Sequence, residues 1–278
     1  MRADRPSSTA TLIAAATVFL ARDRSLGHLV PAGAAEICAR CLTRFWLQAV
    51  RMRWLARAAE RATIPGLMLH FMLRKRWIEE AVRGALERGS RQVVVLGAGF
   101  DTLAARLAPQ FPAVRFLEID HPATQAVKRA AVQRENLHFV AADLARTSLA
   151  DALASSPYER NASSVFIVEG LLMYLTSEQM AALFAAIGSV QPAGGELVFT
   201  VMEPMRDGRI AFHNATWLER ALLALWKEPF KSGVSCDALP GALAGWGLRL
   251  RAVADLAAGH PDLVLARGEV IVHATRGQ

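Results

Sequence analysis

The chain has 278 residues, 53% of them hydrophobic and 21% charged. That is enough apolar material for one large domain, or a domain with an extension, and it excludes a chain dominated by disorder. The net charge of +7 is unevenly placed: residues 1–91 hold 16 Lys/Arg against 7 Asp/Glu, and the remainder holds 16 against 18. Three cysteines, Cys38, Cys41 and Cys236, come without a second pair or a His cluster. They offer neither a disulfide framework nor a zinc site, and they suit a reducing cytoplasm.

Residues 10–21, ATLIAAATVFLA, follow two arginines much as a secretory core does. The run is too short to span a bilayer and continues into RDRS without a cleavage site, so it reads as a buried helix. No other segment is long and apolar enough to cross a membrane. Helical spacing covers most of 8–62, with breaks near Gly27 and at Pro31-Ala-Gly33. Within it Arg40, Arg44, Arg51, Arg53, Arg57 and Arg61 interleave with Phe45, Trp46 and Trp54. Arg53, Arg57 and Arg61 share one helical face; Trp46, Val50 and Trp54 share another. A solvated amphipathic face accounts for this pattern. An anionic substrate, an acidic membrane surface or nucleic acid would also match it.

Pro65-Gly66 marks a turn, and 67–89 is a helix ending at Gly89. Strands and helices then alternate. QVVVLG, VRFLEID, LHFVAAD, SSVFIVEG and GELVFTVM are strand candidates. Between them lie helices over DTLAARLA, over ATQAVKRAAVQ opened by Pro122, over SLADALAS, and over SEQMAALFAAIGSV with Ser177 as its cap. This alternation implies a mostly parallel sheet with helices on both faces, an α/β Rossmann-like fold. Residues 203–245 read as a mostly helical insertion on the substrate side. LRLRAVADL and LVLARGEVIVHAT supply two last strands near Gly268. The chain thus divides into an N-terminal helical extension or cap (1–65) and a catalytic domain (66–278).

The first strand runs into Gly97-Ala98-Gly99-Phe100-Asp101-Thr102. Dinucleotide enzymes place a third glycine where Thr102 stands, and a pyrophosphate would be repelled by Asp101 at the helix start. S-adenosylmethionine has no phosphate and carries an ammonium and a sulfonium, which favour a nearby carboxylate. The second strand ends at Asp120, 21 residues after Gly99, where a carboxylate can accept from both ribose hydroxyls. The third ends at Asp143 and Leu144, with Asp143 able to accept from an adenine amine, and the fourth ends at Glu169. Acids at four consecutive strand ends share one edge of the sheet, the edge where such folds bind ligands.

RQVVVLGAGFDTLAARL, FLEIDHP, ADL and EGLLMYLTSEQM together resemble the leucine carboxyl methyltransferase family, which includes protein phosphatase methyltransferases and bacterial polyketide O-methyltransferases. The resemblance runs from about residue 66 to the end and is weaker over the N-terminal helices. It implies a class I methyltransferase fold with S-adenosylmethionine as cofactor and no metal. Arg74 would grip the methionine carboxylate, Gly97 and Gly99 with Asp101 would form the cofactor turn, and Asp120 would be the ribose acid. Asp143 and Leu144 would contact adenine, and Glu169 would lie near the methionine end. Tyr174 matches a family tyrosine that positions the substrate carboxylate. Leu103 replaces an arginine common in relatives, and Pro31-Ala-Gly33 departs from their Asp-Pro pattern.

The expected acceptor is a carboxylate of a small-molecule, polyketide-like or peptide substrate. A carboxylate is ionised at neutral pH and needs no general base. A hydroxyl acceptor would require one, and His121 and His213 are the candidates. Arg206, Arg209 and His213 could meet an anionic substrate. A nucleic-acid-associated methyltransferase and a non-catalytic cofactor-binding scaffold are the other classes. The set of Arg74, Asp120, Asp143 and Glu169 argues against the scaffold.

Overall fold

The computed structural model describes residues 7–218 and 230–277. Seven strands form a single sheet: β1 (Gln92–Leu96), β2 (Arg115–Asp120), β3 (Leu137–Ala141), β4 (Ser164–Val168), β5 (Glu196–Met202), β6 (Leu248–Asp255) and β7 (Glu269–Arg276). Their spatial order is β3-β2-β1-β4-β5-β7-β6. The first five are mutually parallel, with Gln92 opposite both Arg115 and Ser164. β7 runs antiparallel to β5 and β6 antiparallel to β7. This is the mostly parallel Rossmann-like sheet that the alternating elements imply.

Eleven helices in the described residues surround it: α1 (Ser8–Ala21), α2 (Ala34–Cys41), α3 (Arg44–Ala49), α4 (Arg53–Thr63), α5 (Leu67–Glu87), α6 (Leu103–Leu107), α7 (Pro122–Ala131), α8 (Leu149–Ala154), α9 (Ser177–Val190), α10 (Leu239–Gly245) and α11 (Leu256–Gly259). Every residue of β1 and β4 is buried, as expected of central parallel strands covered on both faces. Alternation splits their side chains. Val93, Val95, Val165 and Ile167 pack with Leu73, Ile78 and Val82 of α5, whereas Val94, Leu96, Phe166 and Val168 pack with Phe184 and Ile187 of α9.

The N-terminal helices form a third core. Ala14, Val18 and Phe19 of α1 and Cys38 and Cys41 of α2 pack with Phe71 and Met72 of α5 and with Phe100 of the glycine turn. Residues 10–21 therefore are a buried helix, and burial pushes the Cys38 thiol up to about 12. No described helix is long and apolar enough to cross a membrane.

Two local expectations change. The cap of α9 is Thr176, one residue before Ser177: its hydroxyl accepts from the Gln179 N–H, and the Gln179 side chain accepts from the Thr176 N–H. A glutamine three residues into the helix selects threonine as the reciprocal partner. In the 203–245 stretch, residues 203–216 run as turns and loop and Leu239–Gly245 is helical. Residues 219–229 of that expected insertion lie outside the described residues.

Gly66 starts α5 with φ of 80°, and a Cβ there would sit 2.2 Å from the Val264 carbonyl oxygen and 2.7 Å from the Leu265 Cα. Both obstacles are backbone, so they cannot swing aside. Gly66→Ala should destabilise the fold by about 2 kcal/mol or more. Urea denaturation would read this as a lower midpoint at constant slope; an unchanged midpoint would refute it.

Candidate active site

The turn after β1 is shaped by Gly97 and Gly99, at φ of 64° and 50°. Space is as restrictive as conformation. A Cβ on Gly97 would meet Leu171 at 3.3 Å, and one on Gly99 would meet Ala10 of α1 at 3.1 Å. The Gly97 N–H donates to the Ile119 carbonyl at 2.9 Å, and the Asp120 carboxylate accepts from the N–H groups of Gly99 and His121. Asp120 is half-buried; burial raises its pKa, against the lowering effect of those two N–H bonds. An ionised carboxylate has about four acceptor sites, so two backbone donors leave it able to accept from a ligand hydroxyl.

Beside this turn lies a buried set of charges. Arg74 of α5 is 2% exposed. Its Nε donates to Glu169 at 2.9 Å, its Nη2 lies 2.8 Å from the same carboxylate, and its Nη1 donates to both oxygens of Glu269 at 2.9 and 2.8 Å. The Phe71 ring centroid is 4.8 Å from its guanidinium carbon. Lys75, the next residue, donates to Asp101 at 2.7 Å and to Glu169 at 3.2 Å. His70 Nε2 is 2.7 Å from Glu269. The cluster thus sets Arg74 and Lys75, with the His70 ring beside them, against three carboxylates, Asp101, Glu169 and Glu269.

The titration behaviour follows from this packing. Burial would raise the Asp101 carboxyl, but the Lys75 ammonium holds it well below the usual carboxylate range. Burial would lower Lys75, yet Asp101 and Glu169 keep it above its ordinary value. Burial also opposes ionisation of Glu269, and Arg74 and His70 overcome it, bringing that carboxyl to about 2.

Next to the charges is an apolar cavity of about 100 Å³. Leu12, Ile13, Phe71, Met173, Phe212 and Phe230 supply most of its wall, and Arg74, Tyr174 and Thr9 supply polar groups. Tyr174 ends a short 3-10 turn after β4, and its ring lies 5.6 Å from that of Phe230.

The expected residues thus fall into three places. Arg74, Asp101 and Glu169 converge on one charge cluster, with Tyr174 across the adjoining cavity. Gly97, Gly99 and Asp120 form the hydrogen-bonded turn. Asp143 and Leu144 are half-buried at the end of β3, where Ala142 N–H donates to the Asp120 carbonyl and Asp143 accepts from Ala145 N–H. Both candidate histidines have structural engagements: His121 Nδ1 accepts from Ala123 N–H at the start of α7, and His213 Nε2 lies 2.9 Å from the Glu203 carbonyl oxygen. Arg209 pairs with Asp207 on the surface, outside the cavity lining.

Lys75, Glu269 and His70 are the participants that sequence reasoning missed. A signal existed for each: HFMLRK places His and two cations in an apolar helical run, and Glu269 is a lone acid opening an apolar strand. A charge in such a setting must be paired.

Comparison with known proteins places the chain among methyltransferase relatives. The family model described as leucine carboxyl methyltransferase matches residues 9–188. The match takes in α1 to α4, where the motifs alone gave only a weak likeness. YktD of Bacillus subtilis (strain 168), whose name describes an S-adenosyl-L-methionine-dependent methyltransferase, is 32% identical over 64% of this chain and 60% of its own. A similarly named protein of Saccharopolyspora erythraea is 31% identical over 67% of each chain. Among solved structures, a protein from Thermobifida fusca YX whose title describes a methyltransferase is 16% identical. It covers 99% of this chain and 96% of its own, with a TM-score of 0.58. That likeness, with the strand order, gives the chain the class I methyltransferase fold.

Glu269 offers a direct test of the charge cluster. Its carboxyl is lowered from 4.5 to about 2 in the folded chain, so its stabilisation is complete above the unfolded value and is lost as pH falls through the folded one. Glu269→Gln should cost about 3–5 kcal/mol at neutral pH, because Arg74 loses a buried counter-ion. The variant should also lose less stability than the wild type between about pH 5 and about pH 3. Urea denaturation at both pH values checks this, and equal acid sensitivity would remove Glu269 from the account.

Proposed function

The chain belongs to the leucine carboxyl methyltransferase family, and from that premise we propose that it is an S-adenosylmethionine-dependent O-methyltransferase acting on a carboxylate. The observation that carries the reading is the adjacency of a buried charge cluster to an apolar cavity bearing Arg74 and Tyr174. When bound, the cofactor supplies a methyl group activated by its sulfonium. The donor set suits it: Asp120 retains acceptor capacity, and the Asp101 and Glu169 carboxylates lie beside the glycine turn, where they complement a sulfonium and an ammonium.

On this reading Asp120 holds the ribose hydroxyls, Asp143 and Leu144 take the adenine, and Asp101 and Glu169 set negative potential at the methionine end. Arg74, fixed by Glu169 and Glu269, is the cation for the methionine carboxylate of the cofactor. The cavity wall of Phe71, Phe212 and Phe230 excludes water and orients the apolar body of the acceptor. Alignment of acceptor and donor then supplies most of the rate. Tyr174 positions the acceptor carboxylate and moves no proton. Neither His121 nor His213 lines the cavity, which favours an acceptor that needs no base over a hydroxyl. A small-molecule or peptide carboxylate is the partner this supports.

Two outcomes test the proposal. Asp120→Ala removes an ionised acceptor whose hydrogen bonds are each worth about 1.5–3 kcal/mol, so S-adenosylhomocysteine should bind at least about tenfold more weakly by calorimetry. Wild-type affinity would take Asp120 out of the site. Turnover should give a methyl ester that mild alkali cleaves to methanol, at a rate nearly flat from about pH 6 to 8, since the nucleophile is ionised throughout. An alkali-stable ether, with activity lost in His121→Ala or His213→Ala, would establish a hydroxyl acceptor instead.

A further inference from the structure

Beyond the reaction, α3 and α4 carry an unusual surface. Among side chains described on α4, none is buried. The helix is held to the body on one side only. Arg57 pairs with Asp23, Glu60 accepts from the Met68 N–H at 2.8 Å, and the carbonyls of Ala62 and Thr63 accept from Thr216. At 3.6 residues per turn, Trp54, Leu55, Ala58 and Ala62 then lie on the opposite, outward side. Trp54 is 75% exposed and Leu55 44%. Met52 and, on α3, Phe45 are also exposed, and so is Trp217, which follows the Thr216 that bonds the end of α4.

Among the described side chains of α3 and α4, the exposed charges are arginines. Arg40, Arg44, Arg51, Arg57 and Arg61 are exposed. Between Glu36 and Glu79 the sequence has a single carboxylate side chain, Glu60, already bonded to a backbone N–H. A helix with Trp and Leu outward and arginines along its flank has the pattern of elements that lie in a membrane interface. Each arginine near an anionic lipid surface adds electrostatic attraction.

We infer that α3 and α4 dock this protein onto an anionic lipid bilayer, with Trp54, Leu55, Phe45 and Met52 entering the interface and the arginines meeting lipid phosphates. Nucleic acid fits less well, because its backbone is bound by polar donors and the outward side of α4 has aliphatic and aromatic groups there instead. A two-fold dimer through this face would bring like arginine sets together. Docking sets the catalytic body close to the bilayer, since α4 ends at Thr63, which lines the apolar cavity.

The test is flotation of the full chain with vesicles of phosphatidylcholine alone and of phosphatidylcholine mixed with phosphatidylglycerol. The protein should float with the mixed vesicles only, with a blue shift in tryptophan emission and quenching by brominated lipid. Trp54→Ser with Leu55→Ser should weaken vesicle binding at least about tenfold while leaving thermal unfolding unchanged, because both side chains are exposed. Arg51→Glu with Arg61→Glu should abolish the preference for anionic lipid. Failure to float with mixed vesicles overturns the proposal, as does full binding by the serine variant. It is also overturned if single-stranded RNA displaces the protein from vesicles at low salt. Light scattering that shows a wild-type dimer and a monomeric serine variant would assign the face to a second copy.

Discussion

The structure turns on the burial of Arg74. A guanidinium at 2% exposure is untenable without partners, because its desolvation must be offset by charges of opposite sign in good geometry. Glu169 at the end of β4 and Glu269 at the start of β7 provide them. β7 is antiparallel, so its start lies at the edge where β4 and β5 end, with Glu269 opposite Met202. One arginine thereby ties α5 to two strands that the chain reaches 95 and 195 residues later. Lys75 extends the tie to Asp101 beyond the glycine turn. The same network that positions polar groups for a ligand also fixes α5 against the sheet.

The glycine turn depends on a second constraint, from the N-terminal helices. Ala10 of α1 lies against Gly99, and Phe100 packs into the core that α1 and α2 form with Phe71 and Met72. Phe71 faces both this core and the cavity, where its ring also covers Arg74. The N-terminal helices are thus part of the wall of the site. Leu12 and Ile13 belong to the same cavity lining, so the segment with the basic charge excess also shapes the space beside the charge cluster.

How much of this could be read from sequence follows from the range of each interaction. Strands β1 and β4 are buried on both faces and appear as apolar runs; the turn announces itself by two glycines, and Pro122 by its place at the first turn of α7. Asp101 and Glu169 were legible as acids after strands, and the structure joins them through Lys75. The antiparallel course of β7 has no local signature, and so the Glu269–Arg74 pair was hidden, although a lone acid before VIVHA marked a charge in need of a partner. The cavity was hidden for the same reason. Phe71, Met173 and Phe212 come from three distant segments, and each alone reads as core. Thr176 was missed in favour of Ser177 because both are good caps, and only Gln179 three residues beyond Thr176 decides between them.

The basic segment shows why charge read from sequence alone left its role open. Arg57 shares a helical face with Arg53 and Arg61 by spacing, yet it reaches Asp23 and so helps anchor α4. Hydrogen bonds from the Ser25 hydroxyl and N–H, with a smaller contribution from Arg57, hold the Asp23 carboxyl far below its ordinary range against the opposing effect of burial, so the anchor is an ionised one. Once Arg57 and Glu60 are committed inward, geometry forces Trp54 and Leu55 outward. An isolated exposed leucine is ordinary on any protein surface. A tryptophan, a leucine and two alanines along one side of a helix, beside exposed arginines that outnumber the nearby carboxylates in sequence, form a directed surface. The residues that hold α4 in place thus also determine which of its faces a partner can reach.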